Sequence, residues 1–319
     1  MKKFIALLPV FFLPMIALAH VKWFAEPQKE IPSYALSDGP VMFGILCVLI
    51  AIGVGVFLEK KLSVPQKVKS HIEKWAPIVL SIASIGFGLS FIIFSLNGFI
   101  FAPNLQAVGT MGNLMLGIQA LAGVMILLGL YERVGGLLIL VLFALGMKEY
   151  GSLEMLDTLE MVGFAIYAII IGRPMWKIKD TQIFQKYTHP FHEYGLPILR
   201  VGTGLNLIVL GFTEKILSPS LTDNFLATHP WNFMQALGFE AYTNYWFAFS
   251  AGVAEVLFGL FFLFGLVTRV TTVALAVFLV TTLYLLGPLE LIGHLPHFSI
   301  AIVLLALGSG SRLLLIKKN

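Results

Sequence analysis

The chain is poor in charged residues and in cysteine. Only 12% of its 319 residues are charged and 58% are hydrophobic, whereas a soluble domain carries about 25% charged residues. This composition indicates an integral membrane protein that is embedded in the lipid bilayer. The single cysteine, Cys47, lies inside an apolar run, which excludes an internal disulfide, a CxxC pair and a thiolate cluster. Dithiol chemistry would therefore need a partner protein.

Motifs of several enzyme classes are also missing. The sequence has no glycine-rich phosphate loop at a strand–helix junction, no nucleophile elbow and no CxxCH haem-attachment motif. Its net charge of +4 comes from basic residues in short loops between apolar segments, where they set membrane orientation. We therefore expect no nucleic-acid partner.

The first nineteen residues have the layout of a secretory signal. A short basic start precedes an apolar run of about fifteen residues, and Ala17 and Ala19 place small side chains at positions −3 and −1 of a cleavage site. The run is short for a membrane span, which needs roughly 20 apolar residues, and two prolines interrupt it. We predict cleavage after Ala19, so that His20 begins the mature chain. A retained N-terminal anchor is the alternative.

Apolar windows in the rest of the chain predict an all-α polytopic membrane protein. The nine windows are 41–58, 76–101, 111–130, 134–150, 153–171, 196–217, 243–264, 268–286 and 296–311. With residue 20 outside, fifteen lysines and arginines fall on the inner side and four on the outer side. This asymmetry predicts an inner-membrane protein with an extracytoplasmic mature N-terminus and a cytoplasmic C-terminus.

An internal repeat follows one leading helix. Shifting the chain by 136 residues aligns Arg133 with Arg269, Glu154 with Glu290 and several glycines in order. Each copy has four helices, an even number, so we predict two parallel repeats that share one membrane orientation. The predicted units are a signal peptide (1–19), an N-terminal segment with the leading helix and a basic loop (20–75), repeat 1 (76–172), a cytoplasmic linker (173–195), repeat 2 (196–312) and a tail (313–319).

Repeat 2 contains "LRVGTGLNLIVLGFTEKILSP", "AGVAEVLFGLFFLFGLVTRV" and "GHLPHFSIAIVLLALGSGS". With these segments it resembles the DoxX/DoxD family of four-helix membrane proteins, and residues 76–172 resemble it more weakly. The family is associated with the small subunit of thiosulfate:quinone oxidoreductase and with membrane-bound thiol redox complexes. The resemblance implies a redox-associated membrane subunit, with quinone as a possible cofactor and redox proteins as possible partners.

Three ionisable residues of repeat 2 are candidate catalytic groups. Glu255 lies near the middle of an apolar helix, where a carboxylate costs roughly 2.5–3.5 kcal/mol and normally faces a bundle interior. A protonated glutamate bonded to a neighbouring helix is the structural alternative. Glu214 and Lys215 lie near a helix end, where an interfacial anchor is the alternative interpretation. Repeat 1 has Gln119 in place of Glu255.

Histidines supply a candidate metal site. Cleavage after Ala19 would expose the α-amine and imidazole of His20, a pair that suits Cu²⁺. His294 and His297 fall on the same predicted side with HxxH spacing, but Pro296 between them is expected to break helical geometry.

Five acidic residues also fall on the outer side, namely Glu149, Glu154, Asp157, Glu160 and Glu290. Solvated loop charges are the simpler interpretation of these acids.

Three functional hypotheses remain open on the sequence. The leading one is the membrane subunit of a thiol/sulfur or quinone-linked redox system. The second is a transporter or a copper-handling protein that uses the repeat interface and the outer histidines and acids. The third is a membrane scaffold without catalytic turnover. Whether the protein is an enzyme is open at this point.

The signal-peptide interpretation predicts the mass of the mature protein. Protein extracted from membranes should lack residues 1–19 and begin at His20, because the cleavage motif and the loop charges independently place this segment outside. Intact-mass spectrometry measures this directly. A mass that includes residues 1–19 would contradict the prediction.

Overall fold

The structure is a computed structural model that describes residues 20–25, 31–62, 65–180 and 182–316. The predicted signal peptide lies outside the described residues. Short turns of 3₁₀-helix occur at Val21–Trp23 and His189–Tyr194, and Gly211–Ile216 forms one π-helical segment. The α-helices are α1 (Gly39–Lys61), α2 (Gln66–Leu96), α3 (Gly109–Leu128), α4 (Glu132–Glu149), α5 (Ser152–Leu156), α6 (Leu159–Ile170), α7 (Gln182–Thr188), α8 (Gly195–Leu210), α9 (Pro219–Thr228), α10 (Phe233–Ala236), α11 (Asn244–Phe264), α12 (Thr268–Leu286) and α13 (Pro288–Leu307).

The all-α polytopic prediction is confirmed. Seven helical segments of the described chain are long and apolar enough to cross a membrane, and every predicted window overlaps a helix. The window 153–171 is divided, because α5 ends before Asp157 and α6 begins at Leu159. The expected helix break at Pro296 is wrong, since α13 runs through it from Pro288 to Leu307. His294 and His297 therefore lie one turn apart on a continuous helix.

Eight helices form a closed ring. The neighbours in order are α2, α3, α4, α6, α8, α11, α12 and α13, and α13 packs back against α2. The main apolar core fills this ring and includes Phe87, Phe164 and Phe258, all of them nearly inaccessible to solvent. The leading helix α1 packs outside the ring against α11. Tyr34, which precedes α1, fixes it there by donating a hydrogen bond of 2.6 Å to the carbonyl oxygen of Tyr245.

Equivalent positions of the two halves make equivalent close contacts. A Cβ atom on Gly123 would lie 3.0 Å from the carbonyl oxygen of Gly88, and one on Gly259 would lie 2.6 Å from that of Gly204. Both pairs let two helix backbones touch, α2 with α3 and α8 with α11, as small residues commonly do in membrane proteins.

One end of the ring, which we call the arginine end, is held together by the guanidinium groups of arginines, of which Arg133 and Arg200 are buried. Arg133 donates hydrogen bonds to the carbonyl oxygens at the end of α6, and Arg269 does the same at the end of α13. Arg200 reaches the carbonyl oxygen of Phe262 near the end of α11. Helix C-termini expose unpaired carbonyls that attract cations. These arginines therefore stabilise helix ends in addition to contributing loop charge.

The glycine contacts predict a position-specific effect on stability. Gly259→Ala should lower the free energy of unfolding by about 1–3 kcal/mol, because its methyl group would overlap the backbone of Gly204. Gly117→Ala is the matched control in the equivalent helix, since nothing lies within 4 Å of its Cβ position. It should leave stability unchanged or raise it slightly. Unfolding in detergent measures both variants, and equal stabilities would contradict the packing account.

Candidate functional site

Residues 20–25 dock into the end of the ring opposite the arginine end. We call this the histidine end. The side chain of Val21 is completely buried, and its backbone N–H donates a hydrogen bond of 2.8 Å to Oε2 of Glu214. The next residue, Lys22, makes an ion pair with the buried carboxylate of Asp157 and a second one of 3.2 Å with Glu154. Both halves of the protein thus hold this short segment.

Aromatic contacts cover the docked segment. The indole N–H of Trp23 donates a hydrogen bond of 3.1 Å to Asn104 in the loop between α2 and α3. Its ring occupies the space beside Gly293 on α13, where a Cβ atom would collide with it. Phe24 packs edge-on against Phe225 of α9. The loop between α2 and α3 in repeat 1 and helix α9 in repeat 2 therefore enclose the segment from two sides.

Docking brings the three predicted metal-binding histidines together. The ring centroid of His20 lies 5.0 Å from that of His294 and 5.8 Å from that of His297. The rings of His294 and His297 are 5.2 Å apart. All three side chains are buried. We call this group the histidine triangle.

A carboxyl group lies beside each ring of the triangle. Nδ1 of His294 lies 2.9 Å from Oε2 of Glu290, one turn earlier on α13. Nε2 of His297 lies 4.0 Å from Oε1 of Glu160, and its Nδ1 is buried without a hydrogen-bond partner among the described residues. Nδ1 of His20 lies 3.6 Å from Oε1 of Glu214. Each ring therefore has one nitrogen facing a carboxylate.

The three candidate catalytic residues form a buried ion cluster beside the triangle. Nζ of Lys215 lies 2.8 Å from Oε2 of Glu255 and 3.8 Å from Oε2 of Glu214. All three are at least 95% buried. Glu214 and Lys215 belong to the π-helical segment that extends α8, a distortion that is frequent at functional sites. The interfacial-anchor interpretation of this pair is therefore wrong.

Repeat 1 uses the equivalent position for a neutral contact. The side-chain oxygen of Gln119 accepts a hydrogen bond of 2.9 Å from the backbone N–H of Phe101, and its amide nitrogen donates one of 2.8 Å to the carbonyl oxygen of Phe99. In this part of the repeat a shift of 116 residues applies, because repeat 2 carries about twenty extra residues, and it aligns Phe99 with Lys215. The amide thus closes a loop in repeat 1 where repeat 2 has a glutamate–lysine pair.

Carboxyl groups outnumber amines at the histidine end. Buried Asp157, Glu160 and Glu290 join Glu214 and Glu255, whereas Lys22 and Lys215 are the neighbouring amines. The interpretation of the outer acids as solvated charges is therefore wrong for Asp157, Glu160 and Glu290. Burial raises the pKa of Asp157 to about 6, against the opposing effect of Lys22. Burial, reinforced by His294, lowers the pKa of His20 well below its usual value.

The described side chains do not yet form a complete metal centre. No group of three or more His, Cys, Asp or Glu residues among them is placed so that it could hold a metal ion. The histidine triangle provides imidazoles at close range but not a closed coordination shell. Any metal bound here would need a further donor.

A second candidate site is a lipid-side groove between α1 and α11. The cavity has a volume of about 940 Å³. Apolar and aromatic side chains dominate its wall, and the hydroxyl groups of Tyr242 and Ser250 interact with each other at its polar part. Val253 and Leu257 line the groove, whereas Glu255, on the same helix, faces the ion cluster. The groove and the ion cluster thus lie on opposite faces of α11.

Comparison with known families supports the resemblance in repeat 2. Residues 195–288 match the family model described as DoxX, so the second half of the chain carries a DoxX-like membrane domain. The match covers the π-helical segment, Glu255 and the start of α13, and ends before His294. No curated protein and no solved structure matches the chain significantly. The docked N-terminal segment is thus a feature that the matched region does not contain.

Proposed function

We propose that this protein is the membrane subunit of a quinone-linked redox system that acts on thiol or sulfur compounds at the extracytoplasmic side. The observation that supports the proposal is the placement of Glu255 and the groove on opposite faces of α11. An α-helix with its side chains is about 10–12 Å across. A lipid-soluble acceptor in the groove would therefore lie within one helix diameter of the buried polar site.

The ion cluster is suited to proton handling. Oxidation of a thiol or reduction of a quinone moves protons together with electrons, so either reaction needs a nearby protonatable group when it takes place out of reach of bulk water. Glu255 and Glu214 share the single amine of Lys215, and two carboxylates beside one ammonium leave one negative charge without a partner. Uptake of a proton by this cluster neutralises that charge in a medium where charge is costly.

The groove fits a quinone. A quinone combines an aromatic, hydrogen-bonding head with an apolar tail, and when bound it accepts two electrons and two protons. Tyr242 and Ser250 would hold the head through their hydroxyl groups, while Phe43 and Phe249 would pack against its apolar parts. The groove borders α1, which exposes large apolar side chains along its length, as a lipid-facing helix does. A tail could therefore extend directly into the bilayer.

Copper handling is the second candidate function. The observation that favours it is the histidine triangle with its surrounding carboxyl groups. A protein that only binds or passes on metal would need the triangle but not the groove. Variants of the groove therefore separate the two functions.

The proton-handling role predicts the effect of Glu255→Gln. Glutamine keeps the size and hydrogen-bonding capacity of the side chain but cannot release a proton, so quinone reduction should fall at least tenfold while membrane insertion stays normal. The assay follows reduction of a short-chain quinone by membranes supplied with thiosulfate or a small thiol.

Gln119→Glu is the matched control in repeat 1. Position 119 is equivalent to 255, but repeat 1 has Phe99 where repeat 2 has Lys215. A glutamate at 119 therefore has no lysine partner there, and combining Gln119→Glu with Glu255→Gln should not restore activity. Full activity of Glu255→Gln would assign Glu255 to helix packing. An inactive wild-type protein would contradict the proposed function itself.

The groove makes a separate prediction. Val253→Trp should fill the cavity and reduce the quinone that copurifies with the protein several-fold, because the larger ring would occupy the space needed by the head. Val141→Trp is the control, since Val141 is 52% exposed on the outside of α4. Solvent extraction and chromatography measure the retained quinone. Equal quinone content in wild-type protein and both variants would place the acceptor elsewhere.

A further inference from the structure

We propose that the histidine triangle binds one copper ion and that the α-amino group of His20, released by removal of residues 1–19, completes the ligand set. The ligands would be the amine and imidazole of His20 together with the imidazoles of His294 and His297. The inference rests on contacts at the histidine end and is independent of whether a quinone occupies the groove.

The spacing of the rings suits a common ion. A histidine nitrogen binds a metal at about 2.0 Å, which places each ring centroid about 3 Å from the ion and two centroids roughly 4.5–6 Å apart. The three centroid separations in the triangle are 5.0, 5.2 and 5.8 Å. The centroids thus have the spacing of three imidazoles on one ion, and binding would require the rings to rotate until their nitrogens converge.

Hydrogen-bonding partners leave a donor nitrogen free on each α13 histidine. The carboxylate of Glu290 beside Nδ1 of His294 fixes the proton on that nitrogen and leaves Nε2 with its lone pair. A ligating histidine commonly has its other nitrogen held by a carboxylate in this way. For His297, Glu160 faces Nε2 at 4.0 Å, and the buried Nδ1 without a partner is the available donor.

The amine of His20 supplies the donor that the side chains lack. An α-amine and the Nδ1 atom of the same histidine close a six-membered chelate ring with a metal. Glu214 holds this part of the chain, because it accepts the hydrogen bond from the N–H of Val21. Its carboxylate lies 3.6 Å from Nδ1 of His20, beyond hydrogen-bonding distance, so this nitrogen keeps a lone pair for a metal. The first residue of the mature chain is thus fixed beside the other two rings.

The donor set favours copper among divalent metals. Nitrogen ligands in a tetragonal arrangement suit Cu²⁺, and Cu²⁺ binds such ligands more tightly than Zn²⁺ does. The excess of carboxyl groups around the triangle, including Glu160 and Glu290, favours a bound cation in this buried position. Cys47, the one thiol of the chain, lines the groove and not the triangle.

The test is titration of Cu²⁺ into detergent-solubilised protein whose mass confirms His20 as first residue. We expect one tight equivalent, a paramagnetic spectrum showing nitrogen ligation, and at least tenfold weaker binding of Zn²⁺. His294→Ala and His297→Ala should each weaken copper binding at least tenfold. The control is His229→Ala, since His229 is half-buried outside the triangle and stacks on Phe225; it should bind as wild type does.

An insertion separates the amine from the imidazole of His20. One serine inserted between Ala19 and His20 keeps all three imidazoles but moves the free amine to the new first residue. Copper binding should again weaken at least tenfold, while thermal unfolding of the metal-free protein shows that the fold is kept.

Two results would overturn the proposal. Wild-type protein that begins at His20 and takes up no tight copper would do so, as would unchanged affinity in the insertion variant and in both α13 variants. These outcomes leave the quinone assay untouched, so a failed copper site is distinguishable from a failed redox function. Copper binding without quinone reduction would instead keep this proposal and refute the redox function.

Discussion

The docking of residues 20–25 into the ring is the interaction on which the buried site depends. It places His20 beside α13, it gives Glu214 a backbone partner, and it pairs Lys22 with Asp157. Without the segment, those two carboxylates would lose partners in a poorly hydrated region. Breaking a buried ion pair costs about 3–5 kcal/mol, since it leaves one charge uncompensated. The segment therefore belongs to the site and not to a flexible terminus.

The two halves of the ring combine a rigid frame with a polar site. Both halves keep the glycine contacts between adjacent helices and the arginines that bind helix ends. They differ at the polar site, where Gln119 closes a loop in repeat 1 and Glu255 pairs with Lys215 in repeat 2. Repeat 1 contributes Asp157 and Glu160 to the polar site, and repeat 2 contributes α13 with its histidines. The candidate chemistry therefore lies between the halves.

Hydropathy and charge predicted the spans because a bilayer forces each apolar segment to satisfy its backbone internally. They also singled out Glu255 and Lys215, but not the ion pair between them, since the two residues lie on different helices. Asp157, Glu160 and Glu290 were interpreted as loop charges because their burial comes from tertiary packing, which the sequence pattern does not show. Proline rules placed a break at Pro296, yet α13 continues through it, and Ser299 donates its hydroxyl to the carbonyl of Leu295 within that turn.

The central claim is that a processed N-terminus closes a histidine-lined cation site at one end of the ring. X-ray diffraction from crystals of the mature protein soaked with Cu²⁺, collected at the copper absorption edge, tests it most directly. The account predicts one strong anomalous peak within about 2.0 Å of nitrogen atoms from His20, His294 and His297. A map in which the segment that begins at His20 lies away from α13, or in which no peak appears among the three rings, would contradict it.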